Sequence, residues 1–265
     1  LLVDMHTYYI FQQLLIQSLH MLVMSNMRIC YSHLTTANTV SDVVNHEAFN
    51  GFGRFILPAE RSYNDNMTLQ NVASMLPYHN YITGERAVET INTMIDYVHD
   101  GNTLFYDIYS DADKQADSRK NNTGVFFFRG EPGKPFAIVC PGGGFSYVGA
   151  IHEGFPLAIA LSKMGYNAFS IQYRTGGAQV ACEDLAGAID FIMRHAEELQ
   201  VSTDDYSLWG GSAGARMAAY LGSYGTQGFI SAVHPRPATV VMGYTGHSDY
   251  TRNDPPTYVV IGDND

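Results

Sequence analysis

From residue 103 onward, short apolar, β-rich runs alternate with stretches of helical periodicity, and this alternation narrows the possible architectures more than any other feature of the chain. The runs are 104–109 (LFYDIY), 125–129 (VFFFR), 136–140 (FAIVC), 167–173 (NAFSIQY), 206–210 (YSLWG), 238–243 (ATVVMG) and 257–261 (TYVVI). Between the later runs, residues 153–164 carry Leu157, Leu161 and Met164 on one face. Residues 180–199 carry Leu185, Ile189, Ile192, Ala196 and Leu199 at spacings of three and four. Another helix is expected over 213–222, directly after a strand. Strands that are apolar throughout bury both faces, and strands separated by helices pair in parallel. The pattern therefore predicts a mostly parallel central sheet with helices on both faces. The first two runs are separated by a short polar stretch and are expected to form an antiparallel pair leading into the parallel part.

The remaining sequence divides at about residues 40 and 102. Residues 1–40 lack strand-like alternation and are expected to form a helical N-terminal extension. Gln12, Gln13, Gln17, Ser18 and His20 interrupt its apolar stretch, so no membrane span of about 20 residues is expected there. Its first residues include Asp4 and His6 but no Lys or Arg, unlike a secretory leader. The expected location is the cytoplasm, with secretion as the alternative. Residues 41–102 form a leading segment. Positions 41–84 are rich in Asn, Gly, Pro and Tyr and are expected to be irregular surface chain. Positions 85–99 place Val88, Ile91, Ile95 and Val98 on one helical face that packs on the core domain.

Composition excludes several function classes. With 46% apolar and only 15% charged residues the chain can build a sizeable core. A net charge of −11 repels phosphate backbones and argues against a nucleic-acid partner. The cysteines, Cys30, Cys140 and Cys182, include no C-x-x-C pair, so neither a disulfide framework nor a zinc site is expected.

Three motifs carry chemistry. Gly210-Gly211-Ser212-Ala213-Gly214 fits G-x-S-x-G between a strand and a helix. A serine on such a sharp turn projects its Oγ above the sheet edge, and glycines two residues away on each side relieve the crowding. Cys140-Pro141-Gly142-Gly143-Gly144-Phe145 follows a buried strand, and a glycine run of this kind frees backbone N–H groups to stabilise an oxyanion. The expected donors are Gly143 and Gly144, joined by Ala213. Gly262-Asp263-Asn264-Asp265 follows the last strand, where a triad acid would stand. Asp265 is the better candidate and Asp263 the alternative.

Residues 103–265 resemble the α/β-hydrolase-fold esterases of bacteria, in particular the branch with acetylxylan and feruloyl esterases and lipase-like relatives. The stretches that carry the resemblance are CPGGGFSYVG (140–149), YNAFSIQYR (166–174), SLWGGSAGARMAA (207–219) and PPTYVVIGDND (255–265). The resemblance implies an α/β-hydrolase fold with Ser212 as nucleophile, Gly143, Gly144 and Ala213 as oxyanion donors and Asp265 as the acid. In that family a histidine follows the acid, whereas this sequence ends at Asp265. The expectation is a core that lacks its last strand and helix, and a chain with little activity unless the natural protein continues. Phe145, Tyr147, Tyr244 and His247 flank loops at the strand ends and are expected to line the substrate pocket.

These features predict a serine carboxylesterase that hydrolyses short-chain acyl esters, such as acetyl or feruloyl esters of carbohydrates, through an acyl-enzyme. A peptidase or thioesterase on the same fold, or a hydrolase-like binding protein with a dead site, is the alternative. No metal or other cofactor is required, and the expected partner is a small-molecule ester.

Overall fold

The computed structural model describes residues 31–58, 60–61, 63–76 and 81–263. Residues Leu1–Ser32 and His33–Asp265 are separate compact units. In the first, only Tyr31 and Ser32 are described; residues 1–30 of the expected helical extension lie outside the described residues, whereas residues 31–39 are turn and coil, and the first described helix begins only at Val40.

The elements of the second unit, in chain order, begin with helix α1 (Val40–Val44). The 3₁₀ turns Glu47–Phe49, Gly53–Phe55 and Leu69–Met75 and helix α2 (Gly84–His99) follow. Next come β1 (Phe105–Tyr106), α3 (Asp111–Ala116), β2 (Gly124–Phe128) and β3 (Pro135–Cys140). A π-helical turn (Ala150–Gly154) then precedes α4 (Phe155–Lys163), β4 (Asn167–Gln172), α5 (Ala178–Arg194) and α6 (Ala196–Leu199). The chain continues through β5 (Ser202–Gly211), α7 (Ala213–Tyr224), β6 (Thr239–Gly243) and β7 (Thr257–Val260).

The strands form one sheet in the order β1-β2-β4-β3-β5-β6-β7. β1 and β2 are antiparallel, as are β2 and β4, and every other pairing is parallel. From β3 the chain steps to β4 on one side, then crosses back to β5 on the other and continues to β6. Right-handed crossovers then place α4 on one face and α5 with α7 on the other, and α5 packs against α7. This is the α/β-hydrolase arrangement. The largely apolar β2 and β3, and β4 with its buried Asn167, Ser170 and Gln172, are buried along almost their whole length. β7 forms an edge, with all four residues exposed.

The structure departs from the sequence reading in the leading parts. The run 104–109 pairs only at Phe105 and Tyr106. The polar stretch after it is helical, because Ser110 and Asp113 make a reciprocal capping box that starts α3. Residues 41–84 are not mere surface chain: Val43, Phe49, Phe55, Ile56, Leu69 and Val72 are buried. Phe52 also stacks on Phe105 of β1, with ring centroids 5.2 Å apart.

A buried ion pair ties the end of β4 to α5. Asp184 accepts from the Arg174 backbone N–H at 2.6 Å, from Arg174 Nε at 2.9 Å and from Tyr109 Oη at 2.7 Å. Arg174 also reaches Asp117, next to α3, at 2.8 Å. Removing one partner of a buried pair strands the other charge. Asp184→Ala is therefore expected to lower unfolding free energy by about 3 kcal/mol, read as a lower urea midpoint.

Candidate active site

The site follows from the strand register. β3 and β5 are neighbours, with Cys140 opposite Gly210, so the glycine run and the serine turn leave the sheet side by side at the same edge. Gly211 of β5 pairs with Gly243 of β6, which brings Tyr244 to the same edge. This is also the point where the chain reverses its direction across the sheet, the place where open α/β sheets form a crevice.

The turn at Ser212 passes from strand to helix without a loop. Ser212 takes φ 51° and ψ −118° and is the residue from which α7 starts. The helix then packs so closely on the end of β3 that any side chain at Gly214 would overlap the Cys140 carbonyl. Among the described residues five non-glycine positions have positive φ, and three of them, Phe145 (59°), Ser212 (51°) and Tyr244 (37°), meet at this edge. Such strained backbone persists only where the surroundings enforce it, and it gathers at functional sites.

One cavity of about 260 Å³ is lined by Gly144, Phe145, Ser212, Ala213, Arg216 and Tyr244, together with Thr245 and Gly246. The Ser212 N–H is engaged, donating to the Gly243 carbonyl at 2.9 Å. The N–H groups of Gly143, Gly144 and Ala213 have no hydrogen-bond partner among the described residues.

The other groups of the glycine loop are held from several directions. The Pro141 carbonyl accepts from the buried Tyr173 hydroxyl at 2.8 Å. The Gly142 N–H donates to Glu153 Oε2 at 2.5 Å, and the Gly142 carbonyl accepts from the Gly149 N–H at 2.9 Å. The Gly143 carbonyl accepts from the Ser146 N–H at 3.0 Å and from its hydroxyl at 2.9 Å. The loop is therefore fixed through its other polar groups while three donors stay open. A serine hydroxyl beside unengaged N–H groups is an arrangement suited to acyl transfer.

The structure separates the residues expected at the site. Ser212, Gly144, Ala213, Phe145 and Tyr244 line the cavity, and Gly143 does not line it. Tyr147 lies off the cavity, nearly buried, with the Arg61 guanidinium 4.9 Å from its ring centroid. His247 lines a different cavity, with Met242 and Tyr250, and its ring stands edge-on to Tyr220 at 4.8 Å. Asp263 is exposed after β7, and Asp265 lies outside the described residues. Among the described residues no histidine lines the Ser212 cavity.

Three residues at or near the site escaped the sequence reading. Arg216 lies four positions after Ser212, and helical spacing alone could have placed it on the serine's side of α7. Tyr173 and Glu153 carry no local signal, because each reaches the glycine loop from a separate element.

Residues 129–238 match the BD-FAE family. The matched segment runs from the end of β2 to just before β6, under half of the chain, and includes both the glycine run and the serine turn. No protein of curated function matches the chain in sequence.

Among solved structures, the chain is similar to MGS-M1, an α/β hydrolase from a Medee basin deep-sea metagenome library. Identity is 23% and the TM-score 0.42, over 52% of this chain and 58% of that one. It is also similar to a sugar hydrolase from Lactococcus lactis (23%, TM-score 0.42, 52% and 65% covered). A third likeness is to esterase 2 of Thermogutta terrifontis with propionate bound (16%, TM-score 0.41, 46% and 50% covered). The aligned part thus spans about half to two thirds of the length of these proteins.

Proposed function

We propose that the protein is a serine carboxylesterase that hydrolyses short-chain acyl esters through an acyl-enzyme, with acetyl or feruloyl esters of carbohydrates as its substrates. The observation that carries this reading is the single cavity shared by Ser212 and the Gly144 and Ala213 main chain. The match of residues 129–238 to the BD-FAE family supports it, because the matched segment holds both motifs.

In this reaction Ser212 Oγ attacks the ester carbonyl carbon and loses its proton to a general base. The carbonyl oxygen becomes an oxyanion held by the Gly144 and Ala213 N–H groups, with Gly143 shaping the loop beside them. Collapse expels the alcohol, which takes up the proton, and leaves the acyl group on Ser212. Water then attacks the acyl-enzyme, and the acid and free serine are released. The base implied by the family resemblance is a histidine oriented by Asp265.

A cavity of about 260 Å³ suits a small acyl group. A panel of p-nitrophenyl acetate, butyrate and octanoate, an acyl thioester and an aminoacyl anilide tests the reading in the full-length protein. The acetate and butyrate esters are expected to exceed the octanoate in kcat/KM by at least about tenfold. Preferential cleavage of the thioester or anilide would overturn the ester assignment.

A further inference from the structure

Glu153 is an acidic residue in a place that usually excludes one. Its side chain is 11% exposed, and the neighbouring imidazole, His152, is 4% exposed with Nε2 3.6 Å from Glu153 Oε1. Burial pushes the His152 pKa down to about 4, so at neutral pH the imidazole supplies no compensating charge. Among the described residues no lysine or arginine pairs with Glu153. Burial pushes its own pKa above the ordinary carboxylate value, so ionising this group costs the folded state free energy.

Two hydrogen bonds to the carboxylate offset part of that cost, one from the glycine loop and one from the lining of the Ser212 cavity. The Gly142 N–H donates to Oε2 at 2.5 Å. The second comes from Tyr244, which lines the cavity from the β6 side. The crowding is tight: a side chain at Gly142 would meet Glu153 Oε2 at 2.6 Å and Ser212 Cβ at 3.1 Å. The carboxylate thus lies behind the turn that carries the serine, between the loops after β3 and β6.

Local backbone explains how it gets there. Residues Ala150–Gly154 form a π-helical turn, closed by the Phe155 N–H on the Ala150 carbonyl. The turn inserts one residue before α4 and changes the angle at which the side chains at its start project. Such single π turns recur at functional sites.

We infer that Glu153 is a positioning residue whose carboxylate, by binding the Gly142 N–H and Tyr244, holds the glycine loop so that its next N–H groups face the Ser212 cavity. The inference rests on the esterase reading above. It assigns a role to a buried acid that a purely structural account would replace with an apolar side chain at no loss. The carboxylate touches no reacting atom. Its effect falls on the transition state, where the oxyanion forms, and little on ground-state binding.

The test uses Glu153→Gln and Glu153→Met in the full-length protein, with active sites counted by fluorophosphonate labelling and p-nitrophenyl acetate as substrate. Gln keeps one acceptor and Met keeps the length without any. The expected results are a loss of kcat of about 10²-fold for Met, an intermediate loss for Gln, and KM within about threefold of wild type. Tm is expected to change little, because removing a buried acid whose ionisation costs the folded state is offset by the Gly142 N–H left without its acceptor. A kcat per labelled site within threefold of wild type in folded Glu153→Met overturns the inference, as does failure of both variants to fold. Ser212→Ala, run in parallel, separates the two levels of the argument. If the wild type neither labels nor turns over, or Ser212→Ala matches it, the esterase reading itself has failed.

Discussion

Ser212→Ala is expected to lower kcat/KM toward p-nitrophenyl acetate by at least about 10⁴-fold. The serine is the only hydroxyl that lines the cavity beside the open N–H groups of Gly144 and Ala213, apart from Tyr244 and Thr245, which follow β6. Losing it removes the covalent path and leaves what the backbone donors achieve with water. Stability should barely change. The Ser212 side chain makes no hydrogen bond among the described residues, so its removal should shift unfolding by no more than about 0.5 kcal/mol. Steady-state kinetics and urea unfolding on the same preparation read both effects. A variant retaining a tenth of wild-type kcat/KM would contradict the nucleophile assignment.

The second large effect is expected at Gly143, which does not line the cavity but shapes the loop that does. It takes φ 136°, a conformation that L side chains rarely adopt, and an added side chain would collide with the Tyr147 carbonyl. Gly143→Ala must therefore shift the loop and the Gly144 N–H with it. Loss of one oxyanion donor costs about 10²–10³ in kcat, and a loss in that range is expected. Gly144→Ala is the matched control. An added Cβ there meets nothing nearer than Ser146 Oγ at 3.8 Å, and φ 62° is a strain that one residue can bear. Its kcat should fall far less, and equal losses at both positions would contradict the geometric argument.

Both predictions rest on features legible in the sequence. Alternation of apolar runs and amphipathic helices is a periodic signal, and it yields the parallel strands because both faces of β3 and β4 are buried. The serine turn was legible because steric crowding at a strand-to-helix bend demands small residues at fixed offsets. Pairing it with the glycine run needed only the expectation that β3 and β5 are neighbours, which the register gives.

What was not legible depends on long-range contact or on competing periodicity. Glu153 falls in phase with the apolar positions of 153–164, and an α-helical reading hides the π turn that changes its aim. The leading segment looks polar on average, yet isolated residues such as Phe49 and Ile56 are buried because the sheet's antiparallel end needs a cover. His247 is close in sequence to the β6 loop, but its ring turns toward Tyr220 of α7 and a separate cavity. Tyr147 sits near the glycine run in sequence and packs under Arg61 instead. Proximity along the chain does not fix the side of a loop from which a side chain projects.

The most direct measurement is to treat the full-length protein with a fluorophosphonate and map the adduct by peptide mass spectrometry. The account predicts a single modified residue, Ser212, formed when the native protein is treated and absent when the protein is denatured before treatment. An unmodified Ser212 under conditions that label a reference serine hydrolase, or an adduct on another residue, would contradict it.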